Sequence, residues 1–109
     1  MDEKYYRNLI SQTIARVNKA LESVDPDLVE CEDSQGALVL KFASGAKCIL
    51  SAQPSVRQLW IAAAAKGVAY HFNWDEESKT WLDDRGKGIE ALSFLETHIS
   101  EGSGLSIKI

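Results

Sequence analysis

Six carboxylates fall within a single stretch from Glu22 to Asp33: Glu22, Asp25, Asp27, Glu30, Glu32 and Asp33, with no Lys or Arg among them. From Ser34 to Trp74 the balance inverts, with Lys41, Lys47, Arg57 and Lys66 present and acids absent. Carboxylates are hard oxygen donors suited to iron, manganese, magnesium or calcium. Glu30 and Glu32 alternate with Val29 and Cys31, so both leave the same strand face. With Asp25 and Asp27 nearby they offer about two or three ligands to an exposed cation. A cation held there keeps most of its waters, binds weakly and is poorly discriminated from other divalent metals. The same run also reads as an acidic rim that keeps an edge strand soluble by self-repulsion. Charge alone favours that plainer reading, because solvated charge runs usually lack a dedicated ligand.

A second candidate lies in Gln58-Leu59-Trp60-Ile61. Alternation sends Leu59 and Ile61 to the core and leaves Trp60 on the open face beside Gln58. A large exposed aromatic flanked by polar groups has the make-up of a binding hot spot. The alternative is an indole half covered by Arg57 or His71. Trp74 and Trp81, near strand ends, read as structural. His71 and His98 lie far apart, and neither falls in an HxxxH or HExxH spacing. His71, beside Asp75, Glu76 and Glu77, reads as a strand residue next to an acidic turn. The chain has no GxSxG, no Gly-rich phosphate loop before a helix and no Cys–His pair at a known catalytic spacing. Nothing in these residues by itself indicates an enzyme. Cys31 and Cys48 are too few for a disulfide framework and too far apart for CxxC, and each reads as a buried thiol. A bridge between them would need adjacent strands and an oxidising compartment.

These residues must be positioned by few elements. A length of 109 residues predicts one domain, 1–109, with a two-layer core. A formal net charge of −4 argues against nucleic acid, whose phosphates demand a basic face. No apolar run approaches the ~20 residues that cross a bilayer. Met1-Asp2-Glu3-Lys4 lacks the basic-then-apolar order of a secretory signal, which predicts a cytoplasmic protein. Ile10, Ile14, Val17, Leu21 and Val24, extended backward by Tyr6, form one stripe of an amphipathic helix predicted at 3–23 and closed by Pro26. From Leu28 the period changes to two. Strands are predicted at Val29–Glu32, Ala37–Phe42, Ala46–Leu50, Gln58–Ala62, Val68–Asn73 and Thr80–Leu82, punctuated by Ser34-Gln35-Gly36, Ser44-Gly45 and Pro54. Ala62–Ala65 reads as a strand end and loop. A second helix is predicted at 88–100 on Ile89, Leu92, Leu95 and Ile99, with Gly102 closing it. Leu105, Ile107 and Ile109 alternate in an extended tail that covers a last strip of core. The expectation is an α+β two-layer sandwich, with two helices on one face of an antiparallel sheet of about six strands.

The chain resembles the frataxin family, in its bacterial, CyaY-like form, over nearly its whole length. The resemblance rests on Tyr6 and Leu9, Glu30-Cys31-Glu32, Gly36-Ala37-Leu38-Val39-Leu40, Gly45 and Ile49. It continues through Gln53, Gln58-Leu59-Trp60-Ile61-Ala62, Gly67, Tyr70-His71-Phe72 and Trp81-Leu82-Asp83-Asp84-Arg85, and the stretch from Gln53 to Phe72 is the most specific. It implies a small protein that binds iron (Fe2+ or Fe3+, or other divalent cations) weakly through an acidic ridge. It also implies docking onto cysteine desulfurase and the iron–sulfur scaffold protein to regulate cluster assembly. Carried over by position, the ridge corresponds to Glu22, Asp25, Asp27, Glu30 and Glu32, and the partner surface to Gln58 and Trp60, with Arg57 adjacent. A monomer, in the cytoplasm or the mitochondrial matrix, goes with that picture. The family's first helix is usually studded with carboxylates, whereas Ser11, Gln12, Ala15, Arg16, Asn18 and Lys19 occupy that region here, which shortens the ridge to its C-terminal end. Ser51 replaces a common asparagine, Pro54 falls one position early, and the Ala62–Ala69 connection is long for a bacterial member. The competing expectation is a metal-independent interaction module on the same fold. A carboxylate ferroxidase is weaker still, because the Glu-x-x-His pairs of buried di-iron sites are absent.

Overall fold

The computed structural model describes residues 1–34 and 36–109; Gln35, within the predicted Ser34-Gln35-Gly36 turn, lies outside the described residues. The chain opens with helix α1, Glu3–Leu21, started by Asp2, whose carboxylate accepts the Tyr5 N–H at 2.7 Å. Its buried face is Tyr6, Leu9, Thr13, Val17 and Leu21. The predicted stripe is therefore turned: Ile10 and Ile14 sit half-buried at its margin, and Leu9 and Thr13 take the centre. The helix also stops at Leu21 rather than 23, capped by Glu22. Thr13 tolerates burial because its hydroxyl donates to the Leu9 carbonyl at 2.8 Å and accepts the Trp81 indole N–H at 3.0 Å.

Six strands follow: β1 Val29–Ser34, β2 Ala37–Phe42, β3 Lys47–Gln53, β4 Gln58–Ala63, β5 Val68–Asp75 and β6 Thr80–Asp83. They pair in sequence order, every neighbour antiparallel, into one open sheet. The meander is what short turns between consecutive apolar-alternating runs dictate, since an antiparallel neighbour needs no crossover. Short 3₁₀ turns at Pro54–Val56 and Ala64–Lys66 join β3 to β4 and β4 to β5. The second is a helical turn where the sequence predicted a plain loop.

Helix α2, Ala91–Ser103, begins three residues later than predicted, because Ile89 and Glu90 stay extended and Glu90 bridges to Leu82. The loop before it is folded around Asp83, whose carboxylate accepts the N–H groups of Arg85, Lys87 and Ile89 at 3.2, 3.1 and 2.8 Å. Burial works to raise the Asp83 pKa, but these donors outweigh it and hold the carboxyl below its usual range. Glu90 caps α2 by accepting the N–H groups of Leu92 and Ser93. Gly102 does not end the helix; Gly104 does, in the left-handed conformation at φ 78°. Gly102 lies inside α2 against the Phe42 ring, where a Cβ would fall 2.9 Å from two ring carbons.

Both helices pack on one sheet face. That face carries Leu38, Leu50 and Ile61 in one cross-strand row and Leu40, Cys48 and Ala63 in the next, all fully buried. Tyr6, Val17, Leu95 and Ile99 close over them. Each buried Leu, Ile or Val among them contributes about 1.5–3 kcal/mol relative to exposure. Ile107 and Ile109 of the tail pack against the edge of this core, as their alternation predicts. Among the described residues, no helix is long and apolar enough to cross a membrane.

Candidate functional site

The other sheet face has no helix over it. Its register places Glu30 opposite Lys41 and Lys41 opposite Lys47 at one end. The next row runs Glu32, Val39, Ile49, Ala62, Ala69, with Ile49 38% exposed. Beyond it lies Ala37, Ser51, Trp60, His71, and then Gln53, Gln58, Asn73, Leu82. The open face thus grades from charged, through apolar, to a mixed aromatic and polar end.

Trp60 lies where alternation sends it, half-buried, while Leu59 and Ile61 are fully buried on the helix side. Its indole stacks on the imidazole of His71, its cross-strand partner, with centroids 4.0 Å apart and planes 11° from parallel. Its ring N–H donates to Gln58 Oε1 at 2.8 Å. The Gln58 amide nitrogen donates in turn to Asn73 Oδ1 at 3.1 Å and Asp84 Oδ2 at 3.3 Å. Asp84 lies 3.7 Å from His71 Nδ1. Gln58 and Trp60 are therefore brought together. Arg57 is not brought to them: it is half-buried in a left-handed turn, its guanidinium donating to the Pro54 carbonyl and lying 5.8 Å from the Tyr6 ring centroid. Tyr6 fixes this corner from below, its hydroxyl donating to the Gln58 carbonyl at 2.6 Å and accepting the Gln53 N–H at 2.9 Å. Asn73 was not singled out from sequence, and Asp84 stood only within the Trp81-Leu82-Asp83-Asp84-Arg85 motif. The β4–β5 register makes Asn73 the partner of Gln58. The chain just past β6, where the Asp84 N–H donates to the His71 carbonyl at 2.8 Å, brings in Asp84.

All five candidate ridge carboxylates are exposed. Glu30 and Glu32 do share the open face. Glu22 caps α1, and Asp25 turns inward on its own loop to accept the Asp27 N–H at 2.9 Å. Asp33 falls on the opposite face of β1, beside Asn18. Glu32 is bound by Lys41 at 2.6 Å, a contact that lowers the carboxyl pKa and raises that of the ammonium. Among the described residues, no group of three or more His, Cys, Asp or Glu side chains is placed to hold a metal ion. The donors have the right chemistry for a hard cation but not the convergence of a chelating site. What they fit is loose attraction of a hydrated ion or of a basic protein surface.

Two helices on one face of an open, six-stranded antiparallel meander, with a fixed indole on the other face, define an α+β sandwich with one sheet face uncovered. The family described as Frataxin-like domain matches residues 1–104, and the chain belongs to that family. It is 38% identical over 111 residues to the iron-sulfur cluster assembly protein CyaY of Pseudomonas fluorescens strain SBW25, covering 98% of this chain and 94% of that one. Its identity to the protein of the same name from Stutzerimonas stutzeri strain A1501 is 36% over 104 residues, covering 95% and 90%. Among solved structures, frataxin from Psychromonas ingrahamii superposes with a TM-score of 0.86 at 24% identity, covering 99% of this chain and 97% of the other. A trimeric frataxin from Saccharomyces cerevisiae, complexed with ferrous iron, has the same fold at a TM-score of 0.65 and 19% identity, covering 96% and 88%.

Proposed function

We propose that this chain acts in iron–sulfur cluster assembly, regulating it by docking onto cysteine desulfurase and the scaffold protein through its open sheet face. The observation that carries this reading is Trp60, held half-exposed on an uncovered face by stacking and hydrogen bonds. Fixed aromatics of this kind act as hot spots because little conformational entropy remains to be lost on binding. The names of the curated relatives support the process. The acidic edge from Glu22 to Glu32 supplies long-range attraction to a basic partner surface, which accelerates encounter without requiring a metal.

Iron enters as a weakly held cation at that edge, around Glu30 and Glu32 with Glu22, Asp25 and Asp27 contributing field. The yeast frataxin complexed with ferrous iron supports the association. A second reading, a metal-independent module on the same fold, is favoured by the Glu32–Lys41 pair, which already neutralises one of the carboxylates. An NMR titration with ferrous iron, followed by desulfurase and scaffold, tests both surfaces in one sample. Shifts confined to residues 22–33 on adding iron, then to the face around Trp60 on adding protein, are expected. Partner binding with no iron response leaves the second reading; no response of the Trp60 face to either protein overturns the docking role.

A further inference from the structure

We infer that Gln58 and His71 act on a partner only through Trp60, as positioning residues that fix its indole. The inference rests on the docking role proposed above and assigns separate parts to side chains that the β4–β5 register gathers at one end of the open face.

The hydrogen-bond inventory carries it. Gln58 has little left to offer a partner: its oxygen accepts the indole N–H, and its nitrogen donates to Asn73 and Asp84. An amide with acceptor and donors all engaged is a clamp rather than a recognition group. His71 lies flat against one face of the indole, so its own facing surface is covered by Trp60. On the other side the cross-strand neighbour of Trp60 is Ser51, too small to cover the opposite ring face. The indole therefore has its plane set by His71 and its rotation about that plane set by Gln58. The ring N–H is consumed internally, which leaves an apolar ring surface as what a partner meets. Asn73 and Asp84 hold the clamp itself, and Asp84 also faces His71. Gln58 from β4 and His71 from β5 thus hold the ring, and Asn73 from β5 and Asp84 from the turn after β6 hold Gln58. Pre-organisation of this kind strengthens association by removing the cost of ordering a side chain on binding.

The test uses the full chain and the purified desulfurase–scaffold complex, with Trp60→Ala as the calibrating variant. His71→Ala and Gln58→Leu are expected to weaken binding by about fivefold each, the scale of one aromatic pair or one neutral hydrogen bond. His71→Phe, which keeps a flat ring under the indole, is expected to restore most of the loss. Melting temperatures separate unfolding from repositioning. A partner-free readout accompanies them: the Trp60 indole N–H resonance should shift and exchange faster with water in His71→Ala and Gln58→Leu, and stay near its original position in His71→Phe. If His71→Phe binds as poorly as His71→Ala, the imidazole itself touches the partner and the positioning role is overturned. The same holds if the indole resonance does not move in either variant. If Trp60→Ala alone leaves affinity unchanged while the indole resonance behaves as expected, the docking reading is what fails.

Discussion

The imidazole of His98 lies parallel to the Phe94 ring, 5.8 Å between centroids and 6° between planes, with neither of its nitrogens hydrogen-bonded. Phe42 meets it edge-on from β2, and the residue is only 3% exposed. Burial lowers its pKa below the ordinary value of 6.5, and the charge of Lys66 adds to this; Glu101, paired with Lys66 at 2.7 Å, works the other way. The unfolded chain therefore binds this proton at a higher pH than the folded one. Stability is intact above 6.5 and declines as the pH falls through that value toward the lower folded pKa. The expected result is a melting temperature that drops between about pH 7.5 and 5.5, a slope that His98→Phe abolishes. His71 is the one other histidine of the chain, so a His71→Phe variant that keeps the slope assigns it to His98. An unchanged slope in His98→Phe refutes the assignment.

How far the sequence reaches is clearest at α2. The apolar spacing of Leu92, Leu95 and Ile99 reveals the helix and its buried side. It cannot reveal that Asp83 gathers three N–H groups and delays the start to Ala91, because that depends on where β6 ends. Gly102 reads as a stop signal from its type, yet it is a packing glycine under Phe42, a contact set only when β2 and α2 meet. In α1 the centre of the buried face is Thr13, invisible to a hydrophobic period because its partner, Trp81, lies 68 residues away. Strands fared better: period two and turn residues locate all six, with errors confined to their ends. At the candidate site, alternation places Trp60 correctly, and charge locates an acidic edge. Neither shows that Lys41 caps Glu32 or that Arg57 turns away to Tyr6, since both follow from register and a left-handed turn.

Lys41 offers a direct handle on the acidic edge. It binds Glu32 and lies opposite Glu30, so a cation approaching either carboxylate must compete with an ammonium already there. Replacing it by Gln removes that competitor and leaves the β2 backbone untouched. Lys41→Gln is expected to tighten ferrous or manganous binding by about threefold at low salt, the scale of one exposed charge pair, and less at 0.15 M. Paramagnetic broadening of the amides at 29–33 by manganese measures it. Broadening that is unchanged by the substitution would place the cation elsewhere.

The two cysteines share one cross-strand row, Cys31 opposite Leu40 and Leu40 opposite Cys48. One strand therefore lies between them, a separation of about 9–10 Å, whereas a disulfide needs Cα atoms within ~7 Å. Cys48 is buried as expected but Cys31, on the edge strand, is only half-buried. Desolvation still pushes the Cys31 thiol up to about 11, with Asp33 adding to it, and the Cys48 thiol up to about 12. Because the thiolate is the reactive form, both should resist an aromatic disulfide reagent at pH 8 and react only on unfolding. Reductant should change neither the mass nor the melting temperature. Fast labelling of the native protein at Cys48 would contradict the buried row.

Thr13 and Trp81 join α1 to the last strand through the hydrogen bond from the indole N–H to the Thr13 hydroxyl at 3.0 Å. Trp81 is 1% exposed, and Tyr6 and Trp74 meet its ring edge-on, so its N–H cannot turn to water. Thr13→Val keeps the volume and shape of the side chain while removing the acceptor. A buried donor left unpaired costs about 1–3 kcal/mol, which for a chain of this size lowers the melting temperature by roughly 4–20 °C. Trp81→Phe removes the donor but also part of a large buried ring, so on its own it costs more, about 2–4 kcal/mol. In the double variant the unpaired donor no longer exists. Its loss should therefore fall short of the sum of the single losses by about 1 kcal/mol or more. Denaturant unfolding of the four proteins measures that coupling, and strict additivity would mean that the hydrogen bond contributes nothing to holding α1 on the sheet.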